Sequence, residues 1–415
     1  IGGELWSESM GVGSVDFMLP EDRLGTLERA GIDFQIMVPD VQAVLDDELA
    51  RLQAAEGGIA GGGFFEEYHR GADIIDFYDA LQAARPDLVS SRTIGTSVEG
   101  REILAYTICG SDSATRPGLY IVTGAHAREW IGPATIAYLA DALVNRYDTD
   151  PRIAGLVDGI AWQIVPVANP DGYEYTWDVN RLWRKNRAVN GDGTFGVDWN
   201  RNFSAGWGGP GSSQDTSSDI YRGPSAFSEP ETQAIRDDVF ATPNLAMFFD
   251  VHCYSQLVLW PYGYDNSVPE GTPGEIHQMI GEGIAERIES VNGASFNPIP
   301  AHGLYLASGT SLDWAWDEAS VYAFTYELRD TGQNGFILPP EQIIPSGQEI
   351  LESFLWTGEQ IVGSAVADFV DPLPLVAAPF STVDIRVRLQ AIFSSLDPST
   401  ATLVVEPSNG SDQRL

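Results

Sequence analysis

Basic residues are scarce in this 415-residue chain, which has 23 Lys and Arg against 59 Asp and Glu and a net charge of −36. A single lysine, Lys185, leaves arginine to carry nearly all of the positive charge. Nucleic-acid backbones and anionic membrane surfaces repel so strong a polyanion, which excludes both as partners. A hydrophobic content of 43% and an aromatic content of 11% exclude a disordered acidic chain. The composition therefore predicts a folded, globular protein.

Cysteine and long apolar runs are also scarce. The two cysteines, Cys109 and Cys253, are too few for a disulfide framework. No apolar stretch approaches the ~18 residues of a membrane-spanning helix, so we expect no membrane insertion. The chain begins at Ile1 without an apolar leader, so we expect that a leader was removed or that the sequence is a fragment. A secreted, extracellular protein is predicted.

A glycine-rich stretch separates the first part of the chain from the rest. Residues 57–63 contain five glycines and predict a flexible linker that is a candidate proteolytic site. The acidic residues before it, 1–56, have the pattern of a small α+β segment, with a strand predicted at Phe34–Val38 and a helix at Val41–Ala54.

The long middle part of the chain alternates helix and strand patterns from residue 64 to residue 367, where the last helix is predicted to start at Pro340. Such alternation predicts a single large α/β domain with a mixed, mostly parallel, twisted central sheet and helices on both faces. Residues 368–374 predict a second linker. Residues 375–415 predict the first strands of an incomplete C-terminal β module, at Val383–Leu389 and Thr402–Val405.

Two histidines lie at the C-terminal ends of predicted strands, where open α/β sheets place their ligands. His126 follows one apolar strand and His252 ends another. Glu129 comes three residues after His126, so one turn brings both side chains to the same side. Together the three form a His₂Glu set, and three protein ligands with an open fourth position are typical of catalytic zinc. The alternative for each histidine is a purely structural role in the core.

A carboxylate and several arginines accompany these histidines. Glu327 closes a third apolar strand, where a carboxylate is costly to bury unless it is paired or used. It is either a general base or half of a salt bridge, for instance with Arg329. Arginine binds carboxylates bidentately and stabilises oxyanions, although ion pairs with nearby acids are the alternative; the arginines concerned are Arg128, Arg181, Arg184 and Arg201.

Seven motifs together resemble the zinc metallocarboxypeptidases of the carboxypeptidase A/B type. They occur in the family's order across residues 64–367. In this sequence they read GAHAREW (124–130), NPDGY (169–173), NRLWRKNR (180–187), GVDWNRNF (196–203), DVHCYSQ (250–256), YLASGTSLDW (305–314) and TYELRDTG (325–332).

The resemblance implies a role for each residue of the catalytic centre. One zinc ion is held by His126, Glu129 and His252, and Glu327 activates the zinc-bound water. Asp198 orients one of the zinc histidines, and Arg184 polarises the scissile carbonyl and stabilises the oxyanion. The enzyme so implied is an exopeptidase that hydrolyses the C-terminal peptide bond of peptides and proteins.

The resemblance also implies which residues bind the substrate. Asn200, Arg201 and Tyr305 bind its terminal carboxylate, while Arg128 and Arg181 line outer subsites. The position that carries an acid in enzymes for basic residues is occupied by Leu312, and the remaining wall is apolar or small, formed by Leu259, Gly263, Leu304 and Ala307. A pocket without an acid cannot offset the desolvation of Lys or Arg. We therefore predict a preference for aromatic or aliphatic C-terminal residues.

The segment 1–56 resembles the C-terminal part of the family's pro-segment and is interpreted as a partial pro-segment. It is expected to shield the cleft in a zymogen and to be removed by an activating protease. Because the glycine linker contains no basic residue, a trypsin-like protease would cut at Arg51 or Arg70.

Two other functions share this chemistry. One is a zinc amide hydrolase acting on acylated amino acids or cell-wall peptides, which Asn200, Arg201 and Tyr305 disfavour because they suit a free α-carboxylate. The other is a non-catalytic, zinc-dependent binding module, with the C-terminal β segment as its targeting partner.

Overall fold

A computed structural model describes residues 4–6, 15–56, 63–363, 365–369 and 387–391 of the chain. Most of the predicted glycine linker and the predicted strand at Thr402–Val405 lie outside these residues. Contacts divide the chain into two compact units, the first ending at Gly358 and the second beginning at Glu359. The second unit is therefore described by itself.

The N-terminal segment contains a short hairpin and two helices. Strands β1 (Glu4–Leu5) and β2 (Phe17–Met18) pair antiparallel, and helices α1 (Leu24–Arg29) and α2 (Val41–Glu56) follow. The prediction of a strand at Phe34–Val38 is wrong. No described strand lies beside these residues to complete a hydrogen-bonded ladder, so the backbone there is irregular.

An eight-stranded mixed sheet forms the centre of the first unit, as predicted. Its spatial order is β3-β4-β6-β5-β7-β10-β8-β9. The strands are β3 (Val89–Thr96), β4 (Glu102–Ile108), β5 (Gly118–Thr123), β6 (Ala161–Val165), β7 (Leu245–Cys253), β8 (Leu257–Trp260), β9 (Asn297–Pro300) and β10 (Tyr322–Leu328). The four central strands, from β6 to β10 in that order, are mutually parallel, so their carboxyl ends meet at one edge of the sheet.

Helices cover both faces of this sheet. They are α3 (Gly71–Ala84), α4 (Ile131–Asn145), α5 (Pro151–Gly159), α6 (Pro170–Asp178), α7 (Pro230–Ala241), α8 (Thr272–Asn292), α9 (Ser311–Asp317) and α10 (Ile343–Gly363). Because successive side chains of a strand point to opposite faces, Phe248 joins one buried cluster with Trp314 of α9. Its neighbour Phe249 contacts Phe354 of α10, with ring centroids 4.9 Å apart, on the other face. The single α/β domain with helices on both sides is confirmed.

The last helix ends earlier than the sequence pattern indicates. It stops at Gly363, and strand β11 (Ala365–Phe369) pairs antiparallel with β12 (Val387–Ala391). The predicted continuation of the helix to about residue 367 is therefore wrong, because these residues have a partner strand. Strand β12 overlaps the strand predicted at Val383–Leu389, whereas the extent of a C-terminal β module stays a prediction.

Candidate active site

The carboxyl edge of the parallel strands brings the predicted catalytic segments together. His126 follows β5 by three residues, and His252 lies near the end of β7. Strand β10 runs parallel to β7 with Glu327 directly opposite His252. Residues that are distant in sequence therefore become neighbours because parallel strands end at the same edge of the sheet.

Three donor atoms converge at this edge. The Nδ1 atom of His252 lies 3.0 Å from Nδ1 of His126 and 3.0 Å from Oε2 of Glu129, and Nδ1 of His126 lies 2.9 Å from Oε1 of Glu129. Ligands of tetrahedral zinc, at about 2.0–2.1 Å from the ion, lie roughly 3.3 Å apart. All three side chains are buried, and they form the one cluster of metal-binding residues found in the described part of the chain. The chemistry and spacing of these donors fit a zinc ion.

Charged neighbours hold the two carboxylates at this edge, Glu129 and Asp198, in their ionised form. Burial disfavours the charged carboxylate of Glu129, but the imidazoles of His126 and His252 outweigh this effect and lower its pKa to about 2. The Nε2 atom of His126 lies 3.2 Å from Oδ1 of Asp198, which is fully buried. Although burial opposes ionisation of Asp198 too, Arg184 and Arg201 depress its pKa well below the usual range. Asp198 therefore faces the outer nitrogen of His126 as a carboxylate, and such a contact orients a metal-binding imidazole.

A pocket adjoins the three donors and contains most of the residues predicted to bind substrate. Its lining includes the predicted residues Asn200, Arg201, Leu259, Gly263, Leu304, Tyr305, Ala307, Leu312 and Glu327. Residues that sequence reasoning did not assign to it are Ala301, Thr310 and Thr325. Thr325 precedes Glu327 by two residues on the same face of β10, so strand alternation could have identified it. Ala301 and Thr310 lie outside the strands, where no such pattern applies.

The three other predicted arginines do not line this pocket. Arg184 donates through Nη2 to Oδ2 of Asp198 at 3.0 Å. Arg128 is buried under Phe336, with its guanidinium carbon 3.9 Å from the ring centroid. Arg181 is stacked at 3.5 Å over the ring of Trp130 and donates to a carboxylate of the N-terminal segment.

One buried acid lies beside the pocket without lining it. The carboxylate of Asp313 accepts hydrogen bonds from the backbone N–H groups of Gly263, at 3.0 Å, and Tyr264, at 3.1 Å. Burial raises the pKa of Asp313 to about 7 despite these hydrogen bonds. Leu312 lines the pocket, whereas its neighbour Asp313 does not.

A His₂Glu donor set at the carboxyl edge of an α/β sheet, beside a pocket and a carboxylate, defines a zinc hydrolase. The chain belongs to the zinc carboxypeptidase family, whose model matches residues 74–353. It is a metallocarboxypeptidase that hydrolyses C-terminal peptide bonds and uses one zinc ion. No helix in the described residues has the length and apolar character needed to cross a membrane.

This chain is similar to known proteins in both sequence and fold. The chain is 40% identical to carboxypeptidase A1 of Bos taurus over 334 residues, which cover 78% of this chain and 77% of the relative. It is 38% identical to carboxypeptidase A2 of Rattus norvegicus, covering 82% and 81% of the two chains. The crystal structure of carboxypeptidase A from Helicoverpa armigera matches with a TM-score of 0.75 and 30% identity, over 86% of this chain and 90% of that one. Thrombin-activatable fibrinolysis inhibitor matches with a TM-score of 0.80 and 28% identity, over 87% and 92% of the two chains.

Proposed function

We propose that this enzyme removes aromatic or aliphatic residues from peptide C-termini, with His126, Glu129 and His252 as its zinc ligands. The observation that carries the proposal is the convergence of three buried donors, at 2.9–3.0 Å from one another, beside a pocket that contains Glu327, Arg201 and Leu312. No other cluster in the described residues offers a metal such a donor set.

The residues around the pocket divide the chemistry among them. Zinc, when bound, acidifies a water molecule and polarises the scissile carbonyl. The carboxylate of Glu327 takes a proton from the attacking water and passes it to the nitrogen of the leaving residue. Asn200, Arg201 and Tyr305 bind the terminal carboxylate, and Arg184 stabilises the negative charge that develops on the carbonyl oxygen. Asp198 keeps His126 in the orientation that presents Nδ1 to the metal.

Hydrogen bonds to the backbone hold the guanidinium group of Arg201, which we propose to bind the terminal carboxylate. Its Nε donates to the backbone oxygen of Gly211 and its Nη1 to that of Asn200, both at 2.7 Å. These hydrogen bonds fix the plane of the guanidinium group at the pocket wall. A pre-oriented guanidinium favours bidentate binding of a carboxylate, so we expect the enzyme to require a free C-terminus.

The proposed specificity depends on the wall of the pocket. Leu312 and Leu259 are 3% and 5% exposed, and Ala307 is buried beside them. Apolar walls stabilise Phe or Leu side chains, whereas a Lys or Arg would lose its hydration without gaining a partner. Blocked dipeptides that end in Phe, Leu, Arg and Glu test this directly. We expect the highest kcat/KM for Phe or Leu, and fastest turnover of the Arg peptide would contradict the proposal.

Glu327→Gln tests the general base separately from the metal site. The change keeps the shape of the side chain but removes the proton acceptor, so kcat should fall about 10²–10⁴-fold while the zinc content stays at one per chain. Glu341→Gln, at an exposed position, is the matched control and should retain full activity. Chelation should abolish activity in the wild type and zinc should restore it. Undiminished hydrolysis by Glu327→Gln would show that another group takes the proton.

We also propose that the N-terminal segment acts as a pro-segment, in a secreted enzyme that another protease activates. In support, the carboxylate of Glu48 in α2 accepts a hydrogen bond at 2.7 Å from Arg181, the arginine assigned to an outer subsite. Asp16 likewise accepts one at 2.6 Å from Tyr254, two residues after His252. A trypsin-like protease would cut at Arg51 or Arg70. Measuring peptidase activity before and after cleavage there tests the proposal, and unchanged activity would contradict it.

A further inference from the structure

A second buried carboxylate faces the metal site from the middle of the sheet. Asp250 precedes His252 by two residues in β7, so both side chains lie on the same face. Asp250 is fully buried, and its Oδ2 lies 2.9 Å from Nε2 of His252. Its Oδ1 has no hydrogen-bond partner among the described residues. A carboxylate so placed is costly unless a neighbouring positive charge compensates it.

Helix α9 fixes the orientation of the groups around Asp250. Ser311 donates a short hydrogen bond from Oγ to Oδ2 of Asp250, and its backbone N–H donates to Oδ1 of Asn200 at 2.8 Å. The second bond turns the Nδ2 group of Asn200 toward Nε2 of His252, at 3.2 Å. Both of these nitrogens carry hydrogen when Nδ1 of His252 binds a metal. They therefore cannot bond to each other, and Asp250 is left as the acceptor for Nε2–H.

We propose that Asp250 is the positioning residue of His252, as Asp198 is that of His126. Asp250 holds the tautomer that presents Nδ1 to the metal, and it leaves the Nδ2 hydrogens of Asn200 for the substrate carboxylate. Ser311 connects the two functions, since it contacts both Asp250 and Asn200. The inference rests on the proposed function in one respect, namely that His252 is a zinc ligand.

Zinc affinity, measured by competition with a chromogenic chelator, tests this role without reference to activity. Partners of metal-bound histidines typically change metal affinity about 10- to 100-fold when removed. We expect Asp250→Ala to raise the zinc Kd by that amount. Asp250→Asn should show a smaller increase, since its amide oxygen still accepts from Nε2–H and its shape is retained. Ser311→Ala should have the smallest effect, because the hydrogen bond from Nε2–H of His252 to Asp250 remains.

Two further variants distinguish this inference from the general effect of altering a buried carboxylate and from an error in the proposed ligand set. Asp171→Asn alters another buried carboxylate, which accepts from Ser97 Oγ and Glu99 N at 2.7 Å away from the donor set. It should leave zinc affinity unchanged, and an equal loss in this control would overturn the inference. The inference would also be overturned if both Asp250 variants had a zinc Kd within twofold of wild type while His252→Ala lost zinc. If His252→Ala itself kept wild-type affinity, the proposed ligand set would be wrong, and the inference would fail with it.

Discussion

Helix α2 is held on the catalytic domain by few buried side chains, and one of its contacts, the ion pair between Glu48 and Arg181, can be removed by a nearly isosteric substitution. Most of this helix is exposed, and only Glu48 and Leu52 are buried among its residues with described side chains. The carboxylate of Glu48 accepts hydrogen bonds from Nε and Nη2 of Arg181, at 2.7 and 3.4 Å. Glu48→Gln keeps the size of the side chain and removes its charge. We therefore expect α2 to detach more often in this variant.

The size of the effect follows from the burial of the ion pair. The side chains of Glu48 and Arg181 are 5% and 10% exposed, so solvent screens the pair little. A hydrogen bond to a charged group contributes about 1.5–3 kcal/mol. Arg181 keeps its bonds to the backbone oxygens of Arg128 and Phe336, both at 2.9 Å, which places the loss below the largest values for buried pairs. A loss of about 2–3 kcal/mol raises the open population roughly 30- to 150-fold.

Hydrogen exchange of the α2 backbone amides, or the rate of limited proteolysis at Arg51, measures this opening. Both rates track the open population when closing is faster than exchange or cleavage. Asp47→Asn is the matched control, because it removes the same charge from the neighbouring, exposed position. It should leave both rates close to wild type. Equal protection of α2 in the Glu48 and Asp47 variants would refute the role assigned to the ion pair.

Three other predictions concern specificity, pH and salt. Leu312→Asp should raise the ratio of kcat/KM for C-terminal Arg over Phe by about 100-fold, because a carboxylate at the buried wall compensates a buried cation; an unchanged ratio would show that Leu312 does not contact the departing side chain. Burial raises the pKa of Glu231 from 4.5 to about 7, so the folded protein holds a proton that the unfolded chain releases, and stability falls as pH rises through that window. The free energy of unfolding of Glu231→Gln, measured by chemical denaturation, should therefore rise by about 3 kcal/mol relative to that of the wild type between pH 4.5 and pH 8. A difference between the two proteins that does not vary with pH would contradict this reasoning. The net charge of −36 should slow hydrolysis of acidic peptides at low salt, and their rates should rise with ionic strength relative to a neutral peptide; a constant ratio would exclude long-range repulsion.

The central strands could be predicted from sequence because they are buried on both faces and therefore predominantly apolar. The run Leu119–Thr123, for example, lies within β5. Strands at the rim of the sheet gave no such signal. The edge strand β3 has a largely polar sequence, and β9 contains two prolines, which a strand tolerates only where its N–H groups need no partner. Their pairing depends on the rest of the sheet, which no local pattern reports.

The candidate site could be predicted to the extent that its residues belong to motifs at strand ends. His126, Glu129 and His252 are such residues, and the alignment of parallel strands brings them together. The partner of Arg181 could not be predicted, since Glu48 is 133 residues away and its contact depends on how α2 docks. Asp250 could have been noticed from its spacing of two to His252, but whether that face carries a metal site or core packing is decided by the fold.

The charge of the molecule has different consequences at its surface and at its centre. The excess of 59 acidic over 23 basic residues is large, yet Arg128, Arg184 and Arg201 are among the largest fully buried side chains. Burying a guanidinium is costly unless acceptors surround it, and Asp198 supplies two oxygens that are shared between Arg184 and the imidazole of His126. Because this carboxylate is fully buried, bulk salt screens its interactions little. We therefore expect the excess of acidic residues to influence which peptides approach, and the buried ion pairs to set the geometry in which a bound peptide meets the proposed metal ligands.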